Sequence, residues 1–542
     1  MGLSAFPNGF ARDEAYLGYN AFSILQTGRD INGNFLPLFI ESFLYTPAGY
    51  AYLTIPFIKL FGLNIFSIRI VSAIFGALTI PLMFLLVRSL FNIENKVDYT
   101  RKFVITIGIL SSLFLAISPW HINLSRTASV TTVVVFLIML ATVFLSTWLV
   151  KPEKKFIIIA YFLYTFSLFF YIAPYSFIPF FILLFFVIYK RKIHLKKIFL
   201  VLFFLMIVPI IVTYTNSNFS LRVKSLSLTN HAIIPIILTE NASRDGVVGI
   251  KPFVSRIFHN KVTVLSDLYI TNYAKHLSYD FLFNDEGFPD RYRIPETGLF
   301  YPIFAVFIVM GIFILFKKEN KASWFLLGWI LISPIGSSFA NDDVPNAQRI
   351  LFMLPPLIIF ASVGFAVLIL NLNSIIRKVL VVIVFLIFFY QVIFYFHQYY
   401  IHENAYRPWY RQEGYQELVE KINLIKGNYK KIVVTNRESG PTLFLSFFSE
   451  YNPKELQKTI SKSELRDTDR ISFDMYTITE EECPVHIEID QPTKKPILKG
   501  EEGVLYINSG LCKIDELPNL VRRLGNISRS DGSVAFYLLD IK

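Results

Sequence analysis

The feature that most constrains this chain is a series of strongly apolar stretches, each about as long as a membrane span. A spanning α-helix needs roughly 20 mainly apolar residues, because the hydrocarbon core of a bilayer is about 30 Å thick. Such runs recur between residues 65 and 396, whereas the more polar sequence from residue 397 onward contains none. Only 17% of the residues are charged, compared with roughly 25% in soluble domains. The sequence therefore predicts a mainly α-helical membrane bundle followed by a soluble C-terminal domain.

The boundaries of the apolar runs predict about ten spans. These spans lie near residues 65–91, 103–119, 128–150, 156–172, 175–189, 197–214, 299–316, 323–339, 350–371 and 379–396. Pro174 and Pro179 interrupt the fourth and fifth, so these are interpreted either as two short spans or as a re-entrant pair. Both interpretations return the chain to the same side of the membrane.

Lys and Arg are concentrated in alternate connections between the spans, near residues 96–102, 151–155, 190–197, 317–321 and 377–378. The positive-inside rule places these connections in the cytoplasm. It places the other connections (120–126, 173–174, 216–296 and 340–349), the first 64 residues and the tail on the outer face of a plasma membrane. A further span is expected to precede residue 1, because the N-terminus would otherwise have to cross the membrane unaided. The net charge of +12 comes largely from these short clusters and does not indicate a nucleic-acid groove.

Three segments result: residues 1–64 as a first outward loop with juxtamembrane helices, 65–396 as the bundle, and 397–542 as a small α/β domain. In the tail, short strands are predicted at 430–435, 442–448, 484–488 and 503–507. Residues 414–425 are predicted to form an amphipathic helix. The two cysteines, Cys483 and Cys512, are compatible either with a disulfide outside the cytoplasm or with two buried thiols.

Asp13 and Glu14 form an acidic pair in the first outward loop. Such a pair can supply a general base, because transfer to a hydroxyl requires removal of its proton as the new bond forms. The structural alternative is that Asp13 caps a helix running to about Gln26, with Glu14 complementing the helix dipole and Gly28 ending the helix. From these residues alone, the capping interpretation is the more common arrangement.

A second candidate region is the outward turn Ser-Pro-Trp-His-Ile-Asn-Leu-Ser-Arg at residues 118–126. Arg126 could bind a phosphate through two parallel hydrogen bonds, or could simply extend to the membrane interface. His121 is interpreted as an interfacial hydrogen-bonding residue rather than a catalytic one.

The remaining outward carboxylates are scattered and are interpreted as solvated surface, because their spacing does not match a metal-ligand loop. They are Asp267, Asp280, Asp285, Glu286, Asp290, Asp342 and Asp343. No metal or cofactor is required by the sequence. No Walker loop, dinucleotide fingerprint or nucleophile elbow is evident, which argues against nucleotide-driven transport and hydrolase chemistry.

Several runs of sequence resemble polytopic membrane glycosyltransferases of the GT-C class, of the protein O-mannosyltransferase and aminoarabinose transferase type. The runs are FARDEAYLGYNAFSILQTGRDINGNFLPLF, YTPAGYAYLTIPFIKLFGLNIFSIRIVSAIFGALTI and SPWHINLSR, with weaker likeness in YRIPETGLFYP, RILFMLPP and VVTNRESGPTLFLSFFSEYNP. The resemblance covers most of the chain. It implies an enzyme that moves a monosaccharide from a polyprenyl-phosphate donor to a protein, lipid or cell-surface glycan, by inverting displacement.

The resemblance also implies roles for individual residues. Asp13 would be the base that deprotonates the acceptor, Glu14 would support it, and Arg126 would bind the donor phosphate. Aminoarabinose transferases carry a Lys where this chain has Thr46, so Arg29 or Arg69 would have to assist Arg126. Further candidates for the lining of the substrate cavity are Tyr45, His121 and Arg349.

Two alternatives remain open. A transporter or flippase of lipid-linked glycans should show charged or broken helices near the middle of the bilayer, and these spans carry almost no such charges. A catalytically inactive relative is also compatible with the sequence, because the family Lys is absent. Many members also carry an acidic residue where this chain has Val130 and Thr131.

Overall fold

A computed structural model describes residues 2–41, 45–93, 101–193, 196–317, 321–370, 375–463, 467–489 and 496–542. The chain forms two compact units. The first unit contains Met1–Ala73, Arg126–Ala128 and His397–Lys542, and the second contains Ile74–Ser125 and Ser129–Phe396. Residues 1–64 and the tail, which are predicted as separate segments, therefore belong to one unit that also includes Arg126.

The N-terminal part of the first unit is built from helices and one small hairpin. The helices are Arg12–Thr27, Gly49–Phe61 and the start of Ile65–Asn92, and the antiparallel strands are Phe39–Glu41 and Tyr45–Pro47. Gly28 adopts a left-handed conformation with φ of 70°, and its N–H donates a hydrogen bond to the carbonyl oxygen of Ile24. This geometry ends the first helix at the glycine that the sequence predicts as its stop.

The second unit is almost entirely helical. Its longer helices are Arg101–Ala116, Val130–Val150, Lys154–Ser167, Ala173–Tyr189, Lys196–Thr215, Ile303–Lys317, Lys321–Ile332, Leu354–Leu370 and Ile375–His397. Shorter helices are Pro119–Ser125, Ser217–Leu226, Ile233–Val247, Pro252–Phe258, Lys261–His276 and Tyr279–Phe283.

Within the described ranges, six helices are long and apolar enough to cross a membrane, or seven if the bent pair Arg101–Ala116 and Pro119–Ser125 counts as one span. The six are Ile65–Asn92, Val130–Val150, Lys197–Thr215, Lys321–Phe339, Leu351–Leu370 and Ile375–Ala405. Apolar helices Ala173–Tyr189 and Ile303–Lys317 are shorter. A helix rises about 1.5 Å per residue, so about 15 residues do not reach across a core of roughly 30 Å. The multi-span helical fold is confirmed, and the number of ten spans stays a prediction.

Two glycines permit close packing of two helices in the second unit. A Cβ atom at Gly311 would collide with the carbonyl oxygen of Phe360, and one at Gly364 would collide with that of Phe307. Helices Ile303–Lys317 and Leu354–Leu370 therefore meet backbone to backbone, as small residues allow in membrane bundles.

The tail is an α/β domain, as predicted. Its mixed five-stranded sheet has the order Tyr476–Thr479, Lys431–Thr435, Val504–Ser509, Val534–Ile541 and Val521–Ser528. The first three strands are parallel and the last two pairings are antiparallel. Helices Tyr415–Ile425, Pro441–Phe448 and Pro453–Lys462 and a separate hairpin, His486–Ile489 with Pro496–Lys499, complete the domain.

Three predictions about the tail can be compared with this structure. The amphipathic helix is confirmed, because Tyr415, Leu418, Val419 and Ile422 are buried on one face. The strand predicted at 442–448 is wrong, because this segment is the helix Pro441–Phe448. Nearly all of its side chains are buried, which removes the periodicity that distinguishes a helix from a strand, and proline occupies its first turn. Cys483 and Cys512 form a disulfide, so the alternative of two free thiols does not hold.

Candidate active site

The acidic pair lies in the first turn of helix Arg12–Thr27, where negative charge is favoured by the helix dipole. The residue that caps this helix is Ala11, so the capping role considered for Asp13 is wrong. The carboxylate of Glu14 reaches back instead, and its Oε2 accepts a hydrogen bond of 3.1 Å from the backbone N–H of Ala11. Glu14 therefore accepts from a backbone donor at the N-terminus of the helix. Asp13 is half-buried.

Glu14 is buried and its carboxylate is fully satisfied. Oε1 accepts hydrogen bonds from Nε of Arg69 at 2.8 Å and from the N–H of Ala128 at 2.9 Å. Oε2 accepts from Nη2 of Arg69 at 2.8 Å as well as from Ala11. Burial alone would raise the pKa of Glu14, but Arg69 and the two backbone N–H groups hold that pKa below its ordinary value. A carboxylate offers about four acceptor sites, and these four hydrogen bonds occupy them all.

Arg69, on helix Ile65–Asn92, is completely buried, and its guanidinium donates hydrogen bonds to other groups of the protein. Two of its N–H groups bind Glu14, and the others donate to the carbonyl oxygens of Leu3 at 3.0 Å, Pro7 at 2.8 Å and Gly9 at 2.6 Å. A guanidinium carries five N–H donors, and these bonds use all of them. The expected role of Arg69 as a phosphate ligand therefore does not fit its geometry. Arg69 instead fixes the segment that leads into the acidic pair.

Arg126 lies in the same unit and is linked to Glu14 through its own turn, since Ala128 donates to the Glu14 carboxylate. Nε of Arg126 donates to the hydroxyl of Tyr399 at 2.9 Å, and its guanidinium lies 5.6 Å from the centre of that ring. Nη2 donates to the carbonyl oxygens of Gly2 and Phe6, both at 3.3 Å. The structure thus links Glu14 to the turn that carries Arg126 within the first unit, and Asp13 precedes Glu14 in the first turn of the same helix.

The tail contributes a carboxylate that the sequence analysis did not identify. Asp469, in the short 3-10 helix Thr468–Arg470, is fully buried and accepts a close hydrogen bond from Nε of Arg12, the residue before Asp13. Nη2 of Arg12 also lies 3.5 Å from Oδ1 of Asp467. Burial raises the pKa of Asp469 to about 7, Arg12 opposes this shift, and Asp467 and Asp13 add to it. The tail is therefore anchored to the residue that precedes the acidic pair.

The raised pKa of Asp469 gives a testable dependence of stability on pH. A folded-state pKa of about 7 against an ordinary value of 3.8 means that the folded protein binds this proton more tightly. Protonation of Asp469 therefore stabilises the folded state. This stabilisation is fully present below pH 3.8 and is lost as the pH rises through about 7. In thermal unfolding between these limits, Asp469→Asn is expected to show a smaller fall of Tm with rising pH than the parent protein. The exposed Asp515→Asn is the control, and an unchanged slope in Asp469→Asn would contradict the assignment.

The other predicted site residues have local structural partners. Arg29 is exposed, donates to the carbonyl oxygen of Gly33 at 2.6 Å and lies 5.8 Å from the centre of the Phe35 ring. Tyr45 stacks on Phe39 with ring centres 4.9 Å apart. Both belong to the first unit, and neither contact excludes a role in binding.

His121 and Arg349 belong to the second unit. Nε2 of His121 lies 2.8 Å from the hydroxyl of Thr79, and Nη2 of Arg349 donates to Asp342 at 2.9 Å. Among the residues that the structure describes, no group of three or more His, Cys, Asp or Glu side chains could hold a metal ion.

Comparison with known proteins gives two findings about the family and the fold. Residues 46–214 match the family model described as dolichyl-phosphate-mannose-protein mannosyltransferase. Two crystal structures of ArnT from Cupriavidus metallidurans, one in the apo state and one bound to undecaprenyl phosphate, are similar with TM-scores of 0.50 and 0.51. Their sequence identities are 9% and 10%, and each match covers 99% of this chain and 95% of the other. No curated protein sequence matches.

Proposed function

We propose that this chain, a polytopic membrane glycosyltransferase of the GT-C class, moves a monosaccharide from a polyprenyl-phosphate-linked donor to an acceptor on the outer face of the membrane. The class rests on the family-model match and on the fold shared with ArnT. Undecaprenyl phosphate, bound in one of the ArnT structures, has the chemistry of the lipid that would carry the sugar. The observation that carries the proposal is the hydrogen-bonded ion pair of Glu14 and Arg69. Glu14 holds the helix turn that contains Asp13 and also binds the backbone N–H of Ala128, two residues after Arg126.

The chemistry is a single displacement. An acceptor hydroxyl or amine attacks the anomeric carbon, and the bond from that carbon to the phosphate oxygen breaks. Asp13 takes the proton of the acceptor, and the lipid phosphate leaves with the electron pair of the broken bond. Arg126 stabilises the negative charge of the departing phosphate, an effect that is largest where little water intervenes.

The outer face is supported by two features. The positive-inside rule assigns the first 64 residues, which contain the acidic pair, to the outer face, and a donor with its prenyl chain in the bilayer would present its sugar at that surface. The disulfide between Cys483 and Cys512 is typical of an oxidising compartment outside the cytoplasm. We place the active site and the tail outside the plasma membrane.

A transfer assay tests this function. The purified protein is given radiolabelled polyprenyl-phosphate sugars in lipid vesicles together with a membrane extract that contains acceptors. The expected result is label in the acceptor fraction and release of an equal amount of polyprenyl phosphate. Label that crosses the vesicle membrane while still attached to the lipid would indicate a transporter, and label that does neither would indicate an inactive relative.

Replacing Arg126 with Gln is expected to lower the rate of transfer by roughly 10- to 100-fold, because a hydrogen bond to a charged group contributes about 1.5–3 kcal/mol. Arg126→Lys should retain part of the activity, because it keeps the charge but loses the planar pair of donors. Initial rates measured over a range of donor concentrations check both variants. The exposed Arg523→Gln in the tail is the control, and equal rates in all proteins would contradict the phosphate role.

A further inference from the structure

The long connection between the helices Lys196–Thr215 and Ile303–Lys317 contains a segment with unusually exposed apolar side chains. The segment runs from residue 244 to residue 262, and we refer to it as the apolar arm. Val247 is 88% exposed, Phe253 is 76% exposed and Val262 is 72% exposed. Large side chains of this kind are rarely left in contact with water over a continuous stretch of a folded protein.

The exposed apolar side chains of the arm lie at the end of helix Ile233–Val247, on helix Pro252–Phe258 and at the start of helix Lys261–His276. In helix Pro252–Phe258, Phe253 and Ile257 are four residues apart, as are Val254 and Phe258. This spacing places them on neighbouring positions of the helix surface. All four are exposed, and Ser255 is the buried residue of this helix. These four residues form an apolar stripe on the exposed surface of the helix, which also carries Arg256.

The charges of the apolar arm are mainly positive. Between residues 244 and 262 the basic residues are Arg244, Lys251, Arg256 and Lys261, and the acidic residue is Asp245. Asp245 lies 3.6 Å from Nε2 of His259, whereas Lys251, Arg256 and Lys261 are exposed. Apolar side chains bordered by exposed cations are the composition of segments that lie in a membrane interface and bind anionic lipid.

We propose that the apolar arm binds the surface of the bilayer, with its apolar side chains among the acyl chains and its cations on anionic headgroups. The partner is lipid rather than another protein, because the connection begins and ends in apolar helices of a membrane bundle and because its exposed charge complements anionic lipid. Binding would tether the long connection beside the membrane from which a lipid-linked donor approaches. This tethering rests on the fold and is independent of whether transfer itself occurs.

Spin labels on the full-length protein in lipid nanodiscs test the proposal. The native cysteines are joined in a disulfide, so single cysteines introduced as Val248→Cys and Phe258→Cys can be labelled selectively. Leu424→Cys is the matched control, because Leu424 is an apolar residue of the tail that is 85% exposed. Accessibility of each label to oxygen, which concentrates in lipid, is compared with its accessibility to a water-soluble nickel complex.

In discs that contain phosphatidylglycerol, the labels at 248 and 258 are expected to be shielded from nickel and accessible to oxygen, and the label at 424 to show the reverse. The combined variant Lys251→Gln, Arg256→Gln and Lys261→Gln should shift the first two labels toward water, and so should discs of phosphatidylcholine alone. Nickel accessibility at 248 and 258 equal to that at 424 would overturn the proposal. Shielding that appears only after a protein acceptor is added would also overturn it, in favour of a protein partner.

Discussion

Asp13→Asn is expected to abolish sugar transfer while leaving the protein folded. An amide of the same size cannot accept the proton of the acceptor, and general base catalysis contributes roughly 10²- to 10⁴-fold to such reactions. The fold should tolerate the change, because the amide has the same size as the carboxylate, Asp13 is half-buried, and Glu14 keeps its bonds to Arg69 and to the backbone. Initial rates of transfer and the thermal unfolding temperature are measured together.

The matched control for this variant is Asp515→Asn, which changes an exposed carboxylate of the tail in the same way. Its transfer rate should equal that of the parent protein. Full activity of Asp13→Asn at an unchanged unfolding temperature would show that another group removes the proton. A variant with low activity and a low unfolding temperature would point to a structural role for Asp13 instead.

The largest loss of stability is expected from Arg69→Met. This change leaves the buried carboxylate of Glu14 without its partner, which typically costs about 3–5 kcal/mol. It also removes the donors to the carbonyl oxygens of Leu3, Pro7 and Gly9. Chemical or thermal unfolding of the purified protein measures the effect, and Arg523→Met, on an exposed strand of the tail, serves as the control.

A double-variant comparison isolates the ion pair. Glu14→Gln combined with Arg69→Met should cost less than the sum of the two single changes, because the combination leaves no unpaired buried charge. Arg69→Lys is expected to be destabilising as well, since an ammonium group cannot reproduce the planar set of donors. Strictly additive single effects would contradict the coupling between these side chains.

The helical bundle could be predicted because its signal is local. Long apolar runs and the clusters of Lys and Arg between them give the order and approximate limits of the helices. The number of spans was harder to predict, because an apolar run can be longer than the helix it forms. The run 156–172, for example, folds as the helix Lys154–Ser167. The helix Pro441–Phe448 was predicted as a strand. Nearly all of its side chains are buried, so its sequence lacks the alternation of apolar and polar residues from which a helix is recognised.

The candidate site could also be predicted only in part. The sequence singled out Asp13, Glu14 and Arg126, but each residue on its own was also compatible with a cap or a snorkelling side chain. Their partners are distant in the chain: Arg69 lies 55 residues from Glu14, and Tyr399 lies 273 residues from Arg126. Asp469 is 457 residues from Arg12. No local pattern encodes such pairings, so only the folded chain shows that Glu14 and Arg69 satisfy each other.

The most direct test of the site is a cryo-electron microscopy structure of the protein in lipid nanodiscs with a polyprenyl-phosphate sugar bound. We expect phosphate oxygens at about 2.7–2.9 Å from the guanidinium of Arg126, the separation typical of charge-assisted hydrogen bonds. The anomeric carbon should face the carboxylate of Asp13, with room for an acceptor between them. A phosphate bound away from Arg126, or a sugar on the opposite side of the membrane from Asp13, would contradict the proposed active site.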